Sequence, residues 1–342
     1  MEILMDTIKL TEELIKFKSI SPSSEGSLEY LEKLLKSQKF ECHLLEFGEQ
    51  RVKNLYAVFK GGNGPNVCFA GHTDVVPPGD EDSWDSDPFT PVERNGRLYG
   101  RGAADMKSAI AAYVSAVINF LKNKDFKFNG SISFLLTADE EGEAFFGTKK
   151  VVEWLEKKKI KLDFCLVGEP TNPLRLGEMV KIGRRGSLNG VITVNGKQGH
   201  VAYPDLAKNP IDGVITICNQ LNLPLDQGSK AFQPSNLVIT SIDVNNMVTN
   251  LIPNKAYIKF NIRFNDNFNS KDLIKLLHDR LNKTGEDYNL DVKVSGESFF
   301  NFSEKLTKAV VNSIKKVRKI NPELSTTGGT SDARFISKLC PV

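Results

Sequence analysis

Apolar residues recur every three or four positions from Met1 to about Lys18 and again from Ser27 to Ser37, a spacing that predicts two amphipathic helices. The segment Ser21-Pro22-Ser23-Ser24 separates them. Extended runs follow at Glu41 to Glu46, Asn54 to Phe59 and Asn66 to Ala70, the last two divided by the turn residues Gly61-Gly62-Asn63-Gly64-Pro65. Helical spacing returns from about Met106 to Asn123 and from Ala144 to Lys158, alternating with strands at Ser131 to Thr137 and Asp163 to Val167. Both of those strands are nearly unbroken apolar runs, so both of their faces are expected to be covered. The alternation predicts an α/β domain.

Near Lys181 the pattern changes. Strands at Ser187 to Val194, Asn236 to Val244 and Lys255 to Phe264 are polar at alternate positions and enclose a helix at about Pro210 to Leu221. A helix at Lys271 to Lys283 and a strand at Leu290 to Ser295 complete a β-α-β-β-α-β order, the ferredoxin-like α+β arrangement. Residues 181–294 therefore read as an inserted domain, with 1–180 and 295–342 forming the domain that it interrupts. A helix at Glu304 to Lys319 and the segment Thr326 to Asp332 return the chain to the first domain.

Composition narrows the classes. In 342 residues, 45 Lys and Arg face 42 Asp and Glu, so a net charge of +3 gives no field to recruit nucleic acid. The most apolar stretch, Ser108 to Leu121, contains two serines and is too short to span a bilayer, so no membrane partner is expected. Glu2 and Asp6 stand where a secretory leader would be cationic, and five scattered cysteines without CxxC spacing read as reduced core residues. The expected location is the cytoplasm.

Catalytic groups of an open α/β sheet gather beyond the carboxyl ends of its strands. Four polar clusters lie at such places: Gly71-His72-Thr73-Asp74, Gly100-Arg101-Gly102-Ala103-Ala104-Asp105, Asp139-Glu140-Glu141-Gly142 and Gly168-Glu169-Pro170. Singly, His72 reads as a core histidine, Asp105 as a helix cap and Glu140-Glu141 as ordinary carboxylates at a helix start. Together, carboxylates at adjacent strand ends repel unless a cation neutralises them, and mixed imidazole and carboxylate donors suit zinc or a similar divalent ion. Neither glycine-rich segment has phosphate-loop spacing.

With Thr73-Asp74-Val75-Val76-Pro77, Met106-Lys107 and Thr171 added, these clusters resemble the ordered motifs of the zinc aminoacylase and carboxypeptidase family. Three further motifs, Gly183 to Ser187, Gly199 to Pro204 and Gly328 to Phe335, resemble those of members that release succinate from N-succinyl-LL-2,6-diaminopimelate. The resemblance covers nearly the whole chain. It implies a zinc-peptidase-like catalytic domain carrying a dimerisation domain, and a small-molecule amidohydrolase with two zinc ions for which cobalt can substitute. It gives His72 and Glu169 to one ion, Asp105 to both and Glu141 to the second. It implies a hydrogen bond from His72 to Asp74, Glu140 as general base, and a cis Asp105-Met106 peptide. It also implies that His200 enters the partner's site in a homodimer, and that Arg184, Asn250, Arg263, Gly329 and Thr330 hold the substrate.

One departure changes the expectation. The family's second zinc takes a histidine near the carboxyl terminus, whereas no histidine follows His278. The expectation is a shortened or ligand-deficient chain that holds about one zinc and has little activity. The rival functions are deacetylation of acetylornithine, hydrolysis of dipeptides, and a non-catalytic role for the scaffold.

Overall fold

A computed structural model of the chain describes residues 4–123 and 128–342. The chain divides into two compact units, one built from residues 1–180, 301–323 and 331–342, the other from 181–300 and 324–330.

In the first unit, helix α1 (Thr7–Ile15) starts where the Asp6 carboxylate accepts from the amides of Ile8 and Lys9. The sequence pattern runs further in both directions, but Met1 lies outside the described residues and the helix stops before Phe17. The chain instead leaves the helix there, and Ile20 forms an isolated parallel bridge with Val75, with Val75 N donating to Ser19 O (2.8 Å) and Ser21 N to Val75 O (3.1 Å). Helix α2 (Ser27–Ser37) leads into β1 (Glu41–Phe47), β2 (Val52–Lys60) and β3 (Asn66–His72). Then come α3 (Ser108–Lys122), β4 (Ser131–Thr137), α4 (Thr148–Lys158) and β5 (Phe164–Val167).

The sheet order is β1-β2-β4-β3-β5, with β3 parallel to both β4 and β5. Period-two alternation sends Phe134 and Leu136 into a core with α1, α2 and α3, and Leu135 into a second core with α4. Strand β5 differs from its expected double coverage: it is the outer strand, and only Cys165 of its four residues is fully buried. Helix α4 begins four residues later than its pattern, because Ala144 has a positive φ of 54° and the chain turns through Gly147 first. A side chain at Gly147 would meet the Asp139 carbonyl oxygen at 2.7 Å.

The second unit holds β6 (Gly186–Asn195), α5 (Pro210–Leu221), β7 (Asn236–Asp243), β8 (Lys255–Phe264), α6 (Ser270–Asn282) and β9 (Tyr288–Gly296). Its antiparallel sheet has the order β7-β8-β6-β9. Leu188, Ile192, Val194, Ile258 and Ile262 face Val214, Ile217, Leu273 and Leu277 of the two helices in one core. Residues 324–330 belong here rather than with the first unit, held by the Ile182 amide on the Ser325 carbonyl (3.0 Å) and by Lys181 Nζ on Thr327 Oγ1 (2.6 Å). The first unit closes with α7 (Glu304–Arg318) and the short α8 (Ala333–Ile336). All five cysteines are free, and no helix among the described residues is long and apolar enough to cross a membrane.

Candidate metal centre

Parallel register assembles the site. His72 is level with Thr137 and Ala70 with Val167, so the exits of β3, β4 and β5 place His72, Glu140, Glu141 and Glu169 at one end of the sheet. Asp105 arrives from the Ala103–Lys107 turn ahead of α3, through a cis Asp105-Met106 peptide. That turn sits close: a side chain at Gly71 would lie 2.4 Å from Met106 Cε.

His72 is 1% exposed and is the centre of the cluster. Its Nε2 lies 3.2 Å from Asp105 Oδ1 and 3.6 Å from Glu169 Oε1. Two groups of donor atoms, His72 with Glu140 and Glu169, and His72 with Asp105 and Glu141, each fall within 4.8 Å of one another. Burial opposes a charged imidazole, yet the hydrogen bond to Asp105 and the charges of Asp74, Glu169 and Glu140 push the His72 pKa up to about 10. This crowd of carboxylates around one ring attracts positive charge, and its nitrogen and oxygen donors fit divalent ions.

Asp74 is fully buried and acts differently from the expected direct clamp on the ring. His72 Nδ1 is 2.9 Å from the Asp74 main-chain oxygen, which fixes the tautomer, while the nearer carboxylate oxygen is 3.6 Å away. The Asp74 carboxylate instead accepts from the amides of Glu140 and Glu141, each at 3.1 Å. Burial pushes its carboxyl upward, against the His72 charge and those two amides. Asp139, in the same motif, accepts from the amides of Ala144 (3.1 Å) and Phe146 (2.9 Å) and so shapes the loop.

Burial pushes Glu140 up to about 8, with Asp332 and Glu169 adding repulsion and His72 and Arg334 opposing it. Glu141 is also raised, first by burial. Asp332 was not singled out by sequence reasoning, although it lies inside the Gly328 to Phe335 motif. It is 5% exposed, with Arg334 Nη2 at 3.7 Å from its carboxylate, and burial raises its pKa to about 6. No local pattern marks it, because its proximity to Glu140 arises across nearly two hundred residues of chain.

The remaining candidates lie in the second unit. Arg184 Nη1 donates to the Gly329 carbonyl at 2.8 Å, and the buried Thr330 Oγ1 has no hydrogen-bond partner. Arg263 is level with Ser187 and Asn236 on neighbouring strands. The adjacent Arg185 donates to Asn236 Oδ1 (2.6 Å), and its pKa is lowered by burial and then by the Arg263 charge. His200 and Asn250 lie exposed at a two-residue antiparallel pairing of distant segments, Gly199–His200 with Leu251–Ile252, where Val201 N donates to Asn250 O at 3.1 Å.

The sequence profile described as Peptidase family M20/M25/M40 matches residues 68–342. The succinyl-diaminopimelate desuccinylase of Pelagibacter ubique (strain HTCC1062) is 52% identical over 343 aligned positions, covering 98% of this chain and 88% of the relative. That of Wolbachia pipientis wMel is 49% identical over 339 positions, covering 99% and 84%. The fold matches the crystal structure of an M20 family metallo-carboxypeptidase from Sulfolobus solfataricus with a TM-score of 0.76, at 18% identity and over 97% of this chain and 88% of that one.

Proposed function

Because the chain belongs to peptidase family M20/M25/M40, we propose that it hydrolyses the amide of N-succinyl-LL-2,6-diaminopimelate to succinate and LL-2,6-diaminopimelate. The observation that carries this reading is the pair of overlapping donor groups around His72, with a buried Glu140 beside them. The desuccinylase relatives supply the acyl group and amine.

In this reading His72 and Glu169 hold one zinc, Glu141 a second, and Asp105 both, with cobalt able to replace zinc. When bound, the ions would polarise the scissile carbonyl and increase the acidity of a nearby water molecule. Glu140 takes a proton from the attacking water and passes it to the departing amine nitrogen. Asp74 fixes the Glu140-Glu141 turn through two amides and sets the ring orientation of His72 through its own carbonyl. The donors described give the first ion three protein ligands and the second two, Asp105 and Glu141, so about one zinc per chain is expected to bind tightly.

Arg184, Arg263 and Asn250 are assigned to the substrate carboxylates and amide, with Gly329 and Thr330 as an opposing wall; guanidinium forks suit carboxylates. His200 is assigned to the oxyanion of a partner's site in a homodimer formed through the inserted domain. Supporting a second copy as partner, the outer strand β7 leaves Val238 and Ile242 51% and 52% exposed along an unpaired edge. The free cysteines accord with a reducing cytoplasm.

The test is succinate release from N-succinyl-LL-2,6-diaminopimelate in the presence of zinc, set against acetate release from acetylornithine and cleavage of dipeptides. Preference for the succinyl substrate supports the assignment. Preference for another substrate moves the chain to a different amidohydrolase activity, and zinc binding without turnover of any of them leaves a binding scaffold.

A further inference from the structure

Lys107 is fully buried, in the turn that delivers Asp105. Its Nζ donates to the Phe17 carbonyl at 2.8 Å. A neutral carbonyl alone leaves a buried ammonium uncompensated. Burial lowers the Lys107 pKa to about 8, and the charge of Asp74, itself without solvent exposure, opposes that shift. Asp74 is the carboxylate that gathers the Glu140 and Glu141 amides and whose main-chain oxygen meets His72. The segment that Lys107 grips is also tied to the residues on either side of Asp74: Ser19 Oγ donates to Thr73 O at 2.6 Å and Val75 N to Ser19 O at 2.8 Å. Two buried opposite charges and one stitched segment thus stand behind the donor cluster.

We infer that Lys107 is a positioning residue that acts through Asp74, its charge and its hold on residues 17–21 fixing the carboxylate on which the Glu140-Glu141 turn and the His72 ring depend. The inference rests on the reading of the site as a metal centre. The hydrogen bond from the Lys107 ammonium goes to the Phe17 carbonyl and not to a donor atom of the cluster. Removal of Lys107 takes away a positive charge that acts alongside His72, which lies 3.6 Å from the Asp74 carboxylate, and releases residues 17–21 from the turn.

A double-mutant cycle tests this with zinc alone as the probe. Zinc affinity by calorimetry and thermal unfolding of the metal-free protein are compared for wild type, Lys107→Met, Asp74→Asn and the double variant. Lys107→Met should weaken zinc binding by about 10-fold or more, the size seen when a group orienting a ligand is lost. The double variant should bind no more weakly than Asp74→Asn alone. Additive losses would overturn the inference and make Lys107 a packing residue. If Lys107→Met fails to fold, recovery of folded protein in the double variant supports the pairing; failure of the double variant while Asp74→Asn folds overturns it. Absence of succinate release from wild-type protein that still binds zinc would refute the reaction while leaving this cycle decisive for Lys107.

Discussion

The groups assigned to chemistry occupy two contrasting environments. At the end of the first unit's sheet, His72, Asp74 and Glu140 are linked through a main-chain carbonyl and a main-chain amide, and the proton affinities of His72 and Glu140 are strongly shifted. In the second unit, His200 and Asn250 sit exposed at a two-residue pairing of strands, and the His200 Nδ1 accepts from a local amide, Ala202 N at 3.1 Å. The buried cluster carries its own reason for being preorganised, since desolvated like charges persist only with a cation or precise amide donors. The exposed His200 ring has a hydrogen bond from an amide two residues away and, among the described residues, no comparable web of buried charges.

Substitutions can break this contrast. The largest effect is expected from Glu140→Gln, which should lower turnover by about 10²-fold or more while zinc binding persists, because an amide cannot carry the proton. Steady-state rates and bound-metal analysis together check it; near-normal turnover would remove Glu140 from the reaction.

A smaller signal separates the two environments directly. His200→Ala and Glu140→Gln proteins, each inactive alone, should regain about a quarter of wild-type activity when mixed in equal amounts under subunit exchange, since half the dimers are mixed and one of their two sites is intact. No recovery under proven exchange would confine His200 to its own chain.

The smallest expected effect concerns the second unit's own stability. Asp226 is partly desolvated, which favours its neutral form, yet hydrogen bonds from Ser235, the Gly228 amide and Asn265 outweigh this and hold its pKa below the ordinary aspartate value. A carboxyl depressed on folding contributes stability above its unfolded pKa of about 3.9 and loses it as pH falls through the folded value. Asp226→Asn should therefore cost roughly 1 kcal/mol at neutral pH, limited by solvent screening, with the difference vanishing in acid below the folded pKa. Denaturant titrations at several pH values would show a constant gap if the carboxylate were not the cause.

The strand-end positions of His72, Glu140, Glu141 and Glu169 were legible in the sequence because apolar runs end abruptly in polar residues, and period two then places each exit. The β-α-β-β-α-β order was legible for the same reason, since alternation at Ser187 to Val194 and Lys255 to Phe264 is a local property of the chain. Element ends were less so. The pattern of α4 extends into residues that the chain uses to bring the Ala144 and Phe146 amides onto Asp139, a demand of the site and not of periodicity.

By itself the sequence determined which residue types meet at the sheet's end, because strand register and side-chain alternation are set by neighbours along the chain. Tertiary structure alone decided that Asp74 would grip two amides, that Asp332 would be buried where its charge raises Glu140, and that Lys107 would be enclosed beside Phe17. Those outcomes depend on desolvation and on charges brought together from distant parts of the chain. Burial and electrostatic field are properties of the packed volume, and no local spacing encodes them.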